Sequence, residues 1–295
     1  MKYLPIDTLY YEFSRHQAPR LRIQPGETVV VASEDALSGQ IQTNDDRRDK
    51  SKMPYSNPMT GPIAVEGAEP GDALAIKILE IKPTRGYCVT RTADPRQLCE
   101  WLGTDCPHGT HVCPIKDGQI YWSDSLTIPY SPMVGCIGTA PDWGCPTTAP
   151  AGPHGGNLDI LEVAPGNTLQ LPVFVKDGLL SLGDLHAAMG HGELSATGLE
   201  MAGETTITVN LIKGARLAWP RIESPEEIMV VVSGAPMERS IAAAYAQLIL
   251  WMEAGYGWDR WRAYDLLTHV GKISVGYYGL GTVAAKIEKR YLNGG

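Results

Sequence analysis

A proline-glycine turn followed by a strand-forming run occurs three times in the first two-thirds of the chain. The turns begin at Pro25, Pro70 and Pro165, and each continues through glycine into alternating or β-branched residues. Proline presets the first corner of a turn and glycine accommodates the second, so each phrase predicts a turn that leads into a strand. The spacing is too uneven for a solenoid.

Alternating apolar residues predict further strands at residues 76–81, 171–175, 179–182 and 205–212. The tripeptide 176–178, Lys-Asp-Gly, is typical of a hairpin turn between two of them. So many short strands separated by proline and glycine predict a mainly β fold, either a sandwich or a barrel.

The last quarter of the chain has a different pattern. Helical spacing predicts a helix over residues 237–254 and a second one from Asp259, as N-cap, to His269. A strand at 273–278 and a last helix near 283–291 complete an α+β portion. We therefore divide the chain into residues 1–150, residues 151–235 and residues 236–295, which can form one compact unit. Residues 84–122 are expected to be irregular.

Composition excludes several classes of function. The chain has 295 residues and a formal net charge of −8, which argues against nucleic-acid binding because such proteins usually carry a basic face. No run of about 18 apolar residues indicates a membrane span, and no signal peptide is evident. We expect a cytoplasmic protein with free cysteines.

Two clusters of glycine, histidine and acidic residues, at 153–159 and 183–193, are the candidate site. Asp184 and His186 are two positions apart, so on a strand both side chains project from one face and can hold a divalent cation. Glu193 is near enough to be a third ligand or a general base. His154 and Asp159 are candidates to complete the shell. These residue types suit a metal hydrolase, while the alternative is a pair of hydrogen-bonded surface turns.

Cysteine supplies two other candidate sites. One group offers ligand types suited to zinc but contains no tight Cys-x2-Cys pair, so its alternative is free thiols or a redox-sensitive loop. It comprises Cys99, Cys106, His108, His111 and Cys113. The other candidate is a thiol nucleophile at Cys136 or Cys145, although no neighbouring residue supplies a base for it.

Several motifs occur in an order that resembles the acetamidase/formamidase family. The resemblance extends over about residues 20 to 290. The motifs are residues 60–72, 132–141, 154–159, 171–173 and 183–188.

This resemblance implies a jelly-roll-like β-sandwich with a second β-barrel-like region and an α+β C-terminal portion, assembled as a homo-oligomer, either a dimer or a trimer. It also implies hydrolysis of a small neutral amide to a carboxylate and ammonia. The family's site motifs match His154, Asn157, Asp159, Asp184, His186, Glu193 and Glu200. His191 stands where the family usually has aspartate, which can alter the metal, the pH profile or the substrate.

We therefore predict a metal-assisted amidase. Asp184 and His186 hold the cation, expected to be zinc, and His154 or Asp159 completes the shell. Glu193 acts first as base and then as acid. Asn157, His191 and the backbone around three glycines are expected to contact substrate or stabilise the oxyanion. These glycines are Gly138, Gly155 and Gly156.

Two alternatives remain open at this point. One is a cysteine-dependent amidase that uses Cys136 or Cys145. The other is a small-ligand-binding protein without catalytic activity, in which His191 marks an altered site.

Overall fold

The computed structural model describes residues 1–53, 55–91, 96–105, 107 and 109–294. Strands dominate these residues. The first half of the chain contains β1 (Lys2–Leu4), β2 (Leu21–Ile23), β3 (Thr28–Ser33), β4 (Met59–Val65), β5 (Ala73–Pro83), β6 (Tyr87–Arg91), β7 (Thr110–Lys116), β8 (Gln119–Ser123), β9 (Leu126–Pro129) and β10 (Met133–Gly138). The second half contains β11 (Ala151–Gly152), β12 (Gly155–Asn157), β13 (Thr168–Pro172), β14 (Leu180–His186), β15 (Glu200–Met201), β16 (Gly203–Ile212), β17 (Arg221–Glu223), β18 (Glu227–Val232), β19 (Lys272–Val275) and β20 (Val283–Glu288).

Helices are few. They are α1 (Arg96–Leu102), α2 (Met237–Tyr256) and α3 (Arg260–Val270), with 3₁₀ turns at Tyr278–Leu280 and Lys289–Gly294. Among the described residues, no helix combines the length and the apolar character that a bilayer crossing requires.

Two large sheets contain the strands. The nine-stranded sheet has the order β1-β3-β16-β5-β13-β17-β18-β20-β19. The eleven-stranded sheet has the order β11-β12-β10-β14-β15-β6-β7-β8-β9, with β4 beside β14 and β2 beside β4. One buried core draws on both sheets, with Ile76 and Ile207 from the first and Ile137 and Leu182 from the second. The sheets therefore form a sandwich.

This architecture confirms the prediction of a mainly β fold with a sandwich. The expected barrel-like region is not found in the described residues, because each sheet is open. The terminal strands β1 and β19 of one sheet, and β11 and β9 of the other, each pair with a neighbour on one side.

The three proline-glycine turns lie where they were predicted. Gly26, Gly71 and Gly166 have φ angles of 90°, 92° and 92°, a conformation that favours glycine and that type II turns require at this corner. The turns lead into β3, β5 and β13. The other predicted strands overlap β5, β13, β14 and β16.

The turn at residues 176–178 is not a hairpin turn. It connects β13 to β14, and these strands belong to different sheets. The chain therefore crosses from one layer of the sandwich to the other at this point.

The described part of residues 84–122 is not irregular, contrary to expectation. Strands β6 and β7 pair with each other, and β6 also pairs with β15, so this segment extends the eleven-stranded sheet. Its regular structure depends on a partner more than a hundred residues away.

The helices α2 and α3 match the predicted ones. The α2 helix ends at Gly257, which has a φ of 72° and caps it, and the carboxylate of Asp259 accepts hydrogen bonds from the first amides of α3. The predicted helix at 283–291 is wrong, because residues 283–288 form β20 between β18 and β19. Leu248 and Trp251 of α2 pack against this part of the sheet.

Candidate active site

The two glycine-rich clusters lie on β12 and β14 of the eleven-stranded sheet, on either side of β10. The strand β10 runs between β12 and β14, so that Cys136 is opposite both Asn157 and Gly183. A third strand therefore aligns the clusters. Beyond β14, the short strand β15 places Glu200 directly opposite His186.

Five side chains, four carboxylates and one imidazole, meet at this point. They are Asp159, Asp184, His186, Glu193 and Glu200, and none exposes more than 7% of its surface. The Nε2 atom of His186 lies 3.5 Å from Oδ1 of Asp184 and 3.3 Å from Oε2 of Glu200. We call these five residues the carboxylate cluster.

Two sets of three within the cluster have the geometry of a cation site, because their ligand atoms lie within 4.8 Å of one another. One set is Asp159, His186 and Glu193, and the other is Asp184, His186 and Glu200. His186 belongs to both.

Three of the four carboxylates are on residues with left-handed backbone. The φ angles are 47° at Asp159, 57° at Asp184 and 44° at Glu193. This conformation is uncommon for residues with a side chain and costs free energy, and it occurs preferentially at functional sites. At Asp184 it interrupts an otherwise regular strand.

Two glycines beside the cluster leave room for its side chains. A Cβ atom on Gly135 would lie 2.6 Å from Oδ1 of Asp159 and 2.7 Å from Oδ2 of Asp184. A Cβ atom on Gly198 would lie 2.6 Å from Nδ1 of His186. Both distances are far below van der Waals contact, so a larger residue at either position would displace the cluster.

The C-terminal portion also reaches this site. Gly276 follows β19, and a Cβ atom there would lie 2.5 Å from the carbonyl oxygen of Leu158, beside Asp159. The backbone amide of Tyr278 donates to the carbonyl of Gly192 at 3.1 Å. These contacts fix the loops that carry Asp159 and Glu193, and no feature of the sequence indicated them.

Hydrogen bonds orient part of the cluster and leave other atoms without a partner. Asn157 Nδ2 donates to Oδ2 of Asp159 at 2.8 Å, and Asn57 Nδ2 donates to Oδ1 of Asn157 at 2.8 Å. The amide of Gly198 donates to Oε1 of Glu200 at 3.1 Å. Among the described residues, no partner with hydrogen-bond geometry is found for four buried atoms. These are Oδ1 of Asp159, Oε2 of Glu200, and Nδ1 and Nε2 of His186.

The cluster is electrostatically unfavourable when all its acids are ionised. Burial raises the pKa of Glu200 to about 8 and that of Glu193 to about 7. Burial also raises the pKa of Asp159 well above its usual value. For His186, burial acts to lower the pKa, but the carboxylates of Glu200 and Asp184 outweigh it and raise the pKa well above its usual value. Such a group is stabilised by bound protons or by a cation.

A cavity of about 710 Å³ adjoins the cluster. Glu193 is the cluster residue that lines it, and the exposed His191 lies on its wall. The loop from Met189 to Leu199 forms one side of the cavity.

The model of one known protein family matches most of the chain. The model of the Acetamidase/Formamidase family matches residues 15–147 and 140–271. The chain belongs to the acetamidase/formamidase family.

Solved members of the acetamidase/formamidase family share the whole fold. An acetamidase from Yersinia enterocolitica is 34% identical, with a TM-score of 0.89 over 96% of this chain and 89% of that one. An acetamidase from Bacillus halodurans is 32% identical, with a TM-score of 0.91 over 99% of both chains.

A formamidase from Methylophilus methylotrophus is 29% identical over 254 residues. That match spans 65% of this chain and 61% of the formamidase, which is less than two thirds of its length.

In this family member His154 is in neither cation-binding set. Its ring lies edge-on to Phe13 at 4.9 Å and to Trp143 at 6.2 Å. Burial lowers its pKa to about 4, so its imidazole is neutral near pH 7. Glu200, which our predicted ligand set omitted, occupies the place beside His186. The family motif had pointed to this residue.

The glycines expected to contact substrate are packed against backbone. A Cβ atom on Gly155 would lie 2.3 Å from the carbonyl oxygen of Ile137, and one on Gly156 would lie 2.5 Å from that of Pro150. One on Gly138 would lie 2.8 Å from the carbonyl oxygen of His154. Their small size therefore allows β10, β11 and β12 to approach closely.

The two candidate thiols differ in environment. Cys136 is fully buried, and burial raises its pKa well above the usual value, an effect that Asp184 and Asp159 increase. Cys145 is exposed and lies 3.2 Å from the hydroxyl of Ser14. A thiol with a raised pKa is a poor nucleophile, so the site geometry does not favour the cysteine-dependent alternative.

The candidate zinc group of the Cys/His-rich segment is not assembled in the part of the chain that the structure describes. Cys113 is buried opposite Cys88 in the β6–β7 pair, while the ring of His111 packs at 4.5 Å from that of Trp122. Cys99 lies in α1, and no cation-binding set includes any of these residues. Cys106 and His108 lie outside the described residues.

Proposed function

We propose that this protein hydrolyses a small aliphatic amide, of the formamide or acetamide kind, to a carboxylate and ammonia. The observation that carries the proposal is the buried carboxylate cluster. Its residues have the composition of a metal-hydrolase site, in a chain whose relatives are named formamidase and acetamidase. A buried group of four acids and one histidine lowers the stability of the fold. Such a cost is typical of functional sites.

The cluster residues fit a divalent cation. The unpartnered oxygens of Asp159 and Glu200 and the Nε2 atom of His186 are buried atoms that a cation would satisfy. We assign Asp184, His186 and Glu200 as ligands, with Asp159 beside them. Mixed imidazole and carboxylate donors suit zinc. Once bound, the cation would polarise the amide carbonyl and lower the pKa of water.

Glu193 is the proposed proton carrier. Its carboxylate lines the cavity, where it can meet a bound substrate, and it belongs to the cluster that holds the proposed ligands. It takes a proton from the attacking water as the carbon-oxygen bond forms. It then delivers that proton to the nitrogen as the carbon-nitrogen bond breaks and ammonia leaves. Protonation of the nitrogen is required because the unprotonated nitrogen would have to leave as a strongly basic anion instead of neutral ammonia.

Asn157 has a positioning role in this scheme, because its amide donates to Asp159 and receives a hydrogen bond from Asn57. The predicted oxyanion role of Asn157 stays a prediction. His191 lies on the cavity wall, where it meets substrate rather than the cluster.

The test combines metal analysis with an ammonia-release assay. Purified protein is analysed for bound metal, then assayed on formamide and acetamide before and after chelation and after restoration of zinc. We expect stoichiometric metal and release that chelation abolishes and zinc restores. Full release from metal-free protein would refute the metal assignment, and absence of release from every amide would refute the hydrolysis.

We further expect a cytoplasmic homo-oligomer, a dimer or trimer. Light scattering coupled to size-exclusion chromatography measures the mass of the assembly directly, and a monomer would contradict this expectation.

A further inference from the structure

The cavity beside Glu193 is much larger than formamide or acetamide. Its volume is about 710 Å³, which lies within the range of roughly 300–1,000 Å³ that is typical of sites for drug-sized ligands. Acetamide occupies on the order of 100 Å³ or less, judged from about 30 Å³ per water molecule in the liquid. Most of the cavity therefore remains free when the amide group reaches the cluster.

The wall of this cavity is mostly apolar. Trp122, Ile128, Met189, Leu194 and Leu199 contribute to it. Leu194 is 63% exposed, an unusual degree of exposure for a leucine beside a buried acidic cluster. These side chains lose unfavourable contact with water when an apolar group covers them.

The charge on the cavity wall favours a neutral ligand. Among the described residues, the lining includes no lysine or arginine, and its titratable groups are Glu193 and His191. A carboxylate in the ligand would find no positively charged partner there at neutral pH, and the buried Glu193 would repel it. The polar lining groups, such as Thr90 and Ser131, are uncharged.

The cavity and the cluster are connected through Glu193. This residue is 7% exposed, whereas His186 and Asp159 are 0% and 1% exposed. An amide whose carbonyl meets the cluster beside Glu193 would place its acyl chain against Met189 and Leu194. The geometry thus orients the substrate with the amide inward and the apolar group outward.

From these observations we infer that the preferred substrate is a neutral primary amide with an aliphatic or aromatic acyl group of about five to seven carbons. This inference rests on the proposed amide hydrolysis and extends its substrate class from formamide and acetamide to longer acyl groups. Each methylene buried in the cavity would raise kcat/KM about fourfold, so that hexanamide, with four more methylenes, would exceed acetamide by roughly 250-fold.

The test is a series of amides assayed by ammonia release, namely formamide, acetamide, butyramide, hexanamide and phenylacetamide. We expect kcat/KM to rise along the aliphatic series. Equal or falling values beyond acetamide, with acetamide itself hydrolysed, would overturn the inference and leave the proposed hydrolysis intact.

Two variants test the cavity directly. Ser131→Trp places a large ring at the exposed mouth of the cavity and should lower the ratio of kcat/KM for hexanamide to that for formamide at least tenfold. Leu194→Ala should lower the same ratio about threefold to tenfold. Ser125→Trp is the matched control, since Ser125 is also exposed but lies outside the lining, and it should keep the wild-type ratio. An unchanged ratio in both cavity variants would overturn the inference.

Calorimetric titration with hexanamide separates binding from turnover. Saturable binding that Ser131→Trp weakens at least tenfold supports the cavity as the acyl site even where no amide is hydrolysed, and in that case only the proposed hydrolysis fails. Absence of binding by hexanamide in a protein that hydrolyses acetamide would overturn the inference.

Discussion

The Nε2 atom of His186 lies 3.3 Å from Oε2 of Glu200, and the register of β14 and β15 places the two residues directly opposite each other. Because Asp184 lies 3.5 Å from the same nitrogen, the imidazole is held between carboxylates from two neighbouring strands. The β-sheet itself thus brings these side chains together, and the position of each depends on the register of the strand that carries it.

Substitution of Glu200 by glutamine should weaken metal binding about 100-fold or more, because a neutral amide replaces a charged ligand. The metal-free variant should unfold at a higher temperature than the metal-free wild type, since one buried acid is removed. Isothermal titration with zinc and calorimetric unfolding measure the two effects. Glu204→Gln, in β16, is the control. Wild-type zinc affinity in Glu200→Gln would remove Glu200 from the ligand set.

Glu193→Gln should reduce kcat by about 10² to 10⁴, the usual contribution of a general base. The metal content should stay near that of the wild type, because the glutamine keeps the size of the side chain. Ammonia release and metal analysis on the same preparation distinguish the base from a ligand. Glu238→Gln, at the exposed start of α2, controls for the loss of a carboxylate elsewhere. Loss of metal together with activity would make Glu193 a ligand in place of the proposed base.

The metal-free protein should become less stable as the pH rises from about 4.5 to about 8. The folded-state pKa values of Glu193 and Glu200, about 7 and about 8, lie above the usual value of 4.5. A raised pKa contributes stability that is present at low pH and lost as the pH passes the folded-state value. His186, whose pKa is also raised, acts in the same direction, and together these groups amount to a few kcal/mol.

Urea unfolding at a series of pH values, with and without zinc, measures this dependence. Bound zinc should remove most of it, because the cation replaces the protons. A free energy of unfolding that rises with pH in the metal-free protein would contradict the electrostatic account of the cluster.

Gly135→Ala should abolish metal binding and lower the free energy of unfolding by about 1–3 kcal/mol, because the added methyl group overlaps the carboxylates of Asp159 and Asp184. Gly144→Ala is the matched control, since nothing lies within 4 Å of a Cβ atom there. Zinc titration and thermal unfolding of both variants provide the comparison. Normal zinc affinity in Gly135→Ala would show that the two aspartates are not held at the distances described.

The features that the sequence predicted correctly are those that local conformation determines. The turns at Gly26, Gly71 and Gly166 follow from the conformational freedom of glycine, and the shared face of Asp184 and His186 follows from the period of a strand. Neither inference needs any knowledge of the partner strands.

The structural features that depend on pairing between distant segments were not predicted. Residues 283–288 contain alanine, lysine and glutamate, which favour helix, but they lie between β18 and β19, where packing outweighs this preference. The insertion of β10 between the two clusters and the approach of Gly276 to Asp159 are likewise long-range contacts. They bring the acids together and are not visible in local sequence signals, although the family motifs had already pointed to Glu200.

Alkylation of the cysteines should leave amide hydrolysis intact if the cluster catalyses it. Cys145 is exposed and should react readily, whereas Cys136 is buried with a raised pKa and should react only on unfolding. We expect iodoacetamide-treated protein to keep its kcat, with mass spectrometry locating the label on Cys145. The variant Cys145→Ser should keep kcat as well, and Cys136→Ala should lose stability from its small cavity but keep a kcat within about threefold of wild type. Complete inactivation by the label, absent in Cys145→Ser, would instead place a thiol at the centre of the reaction.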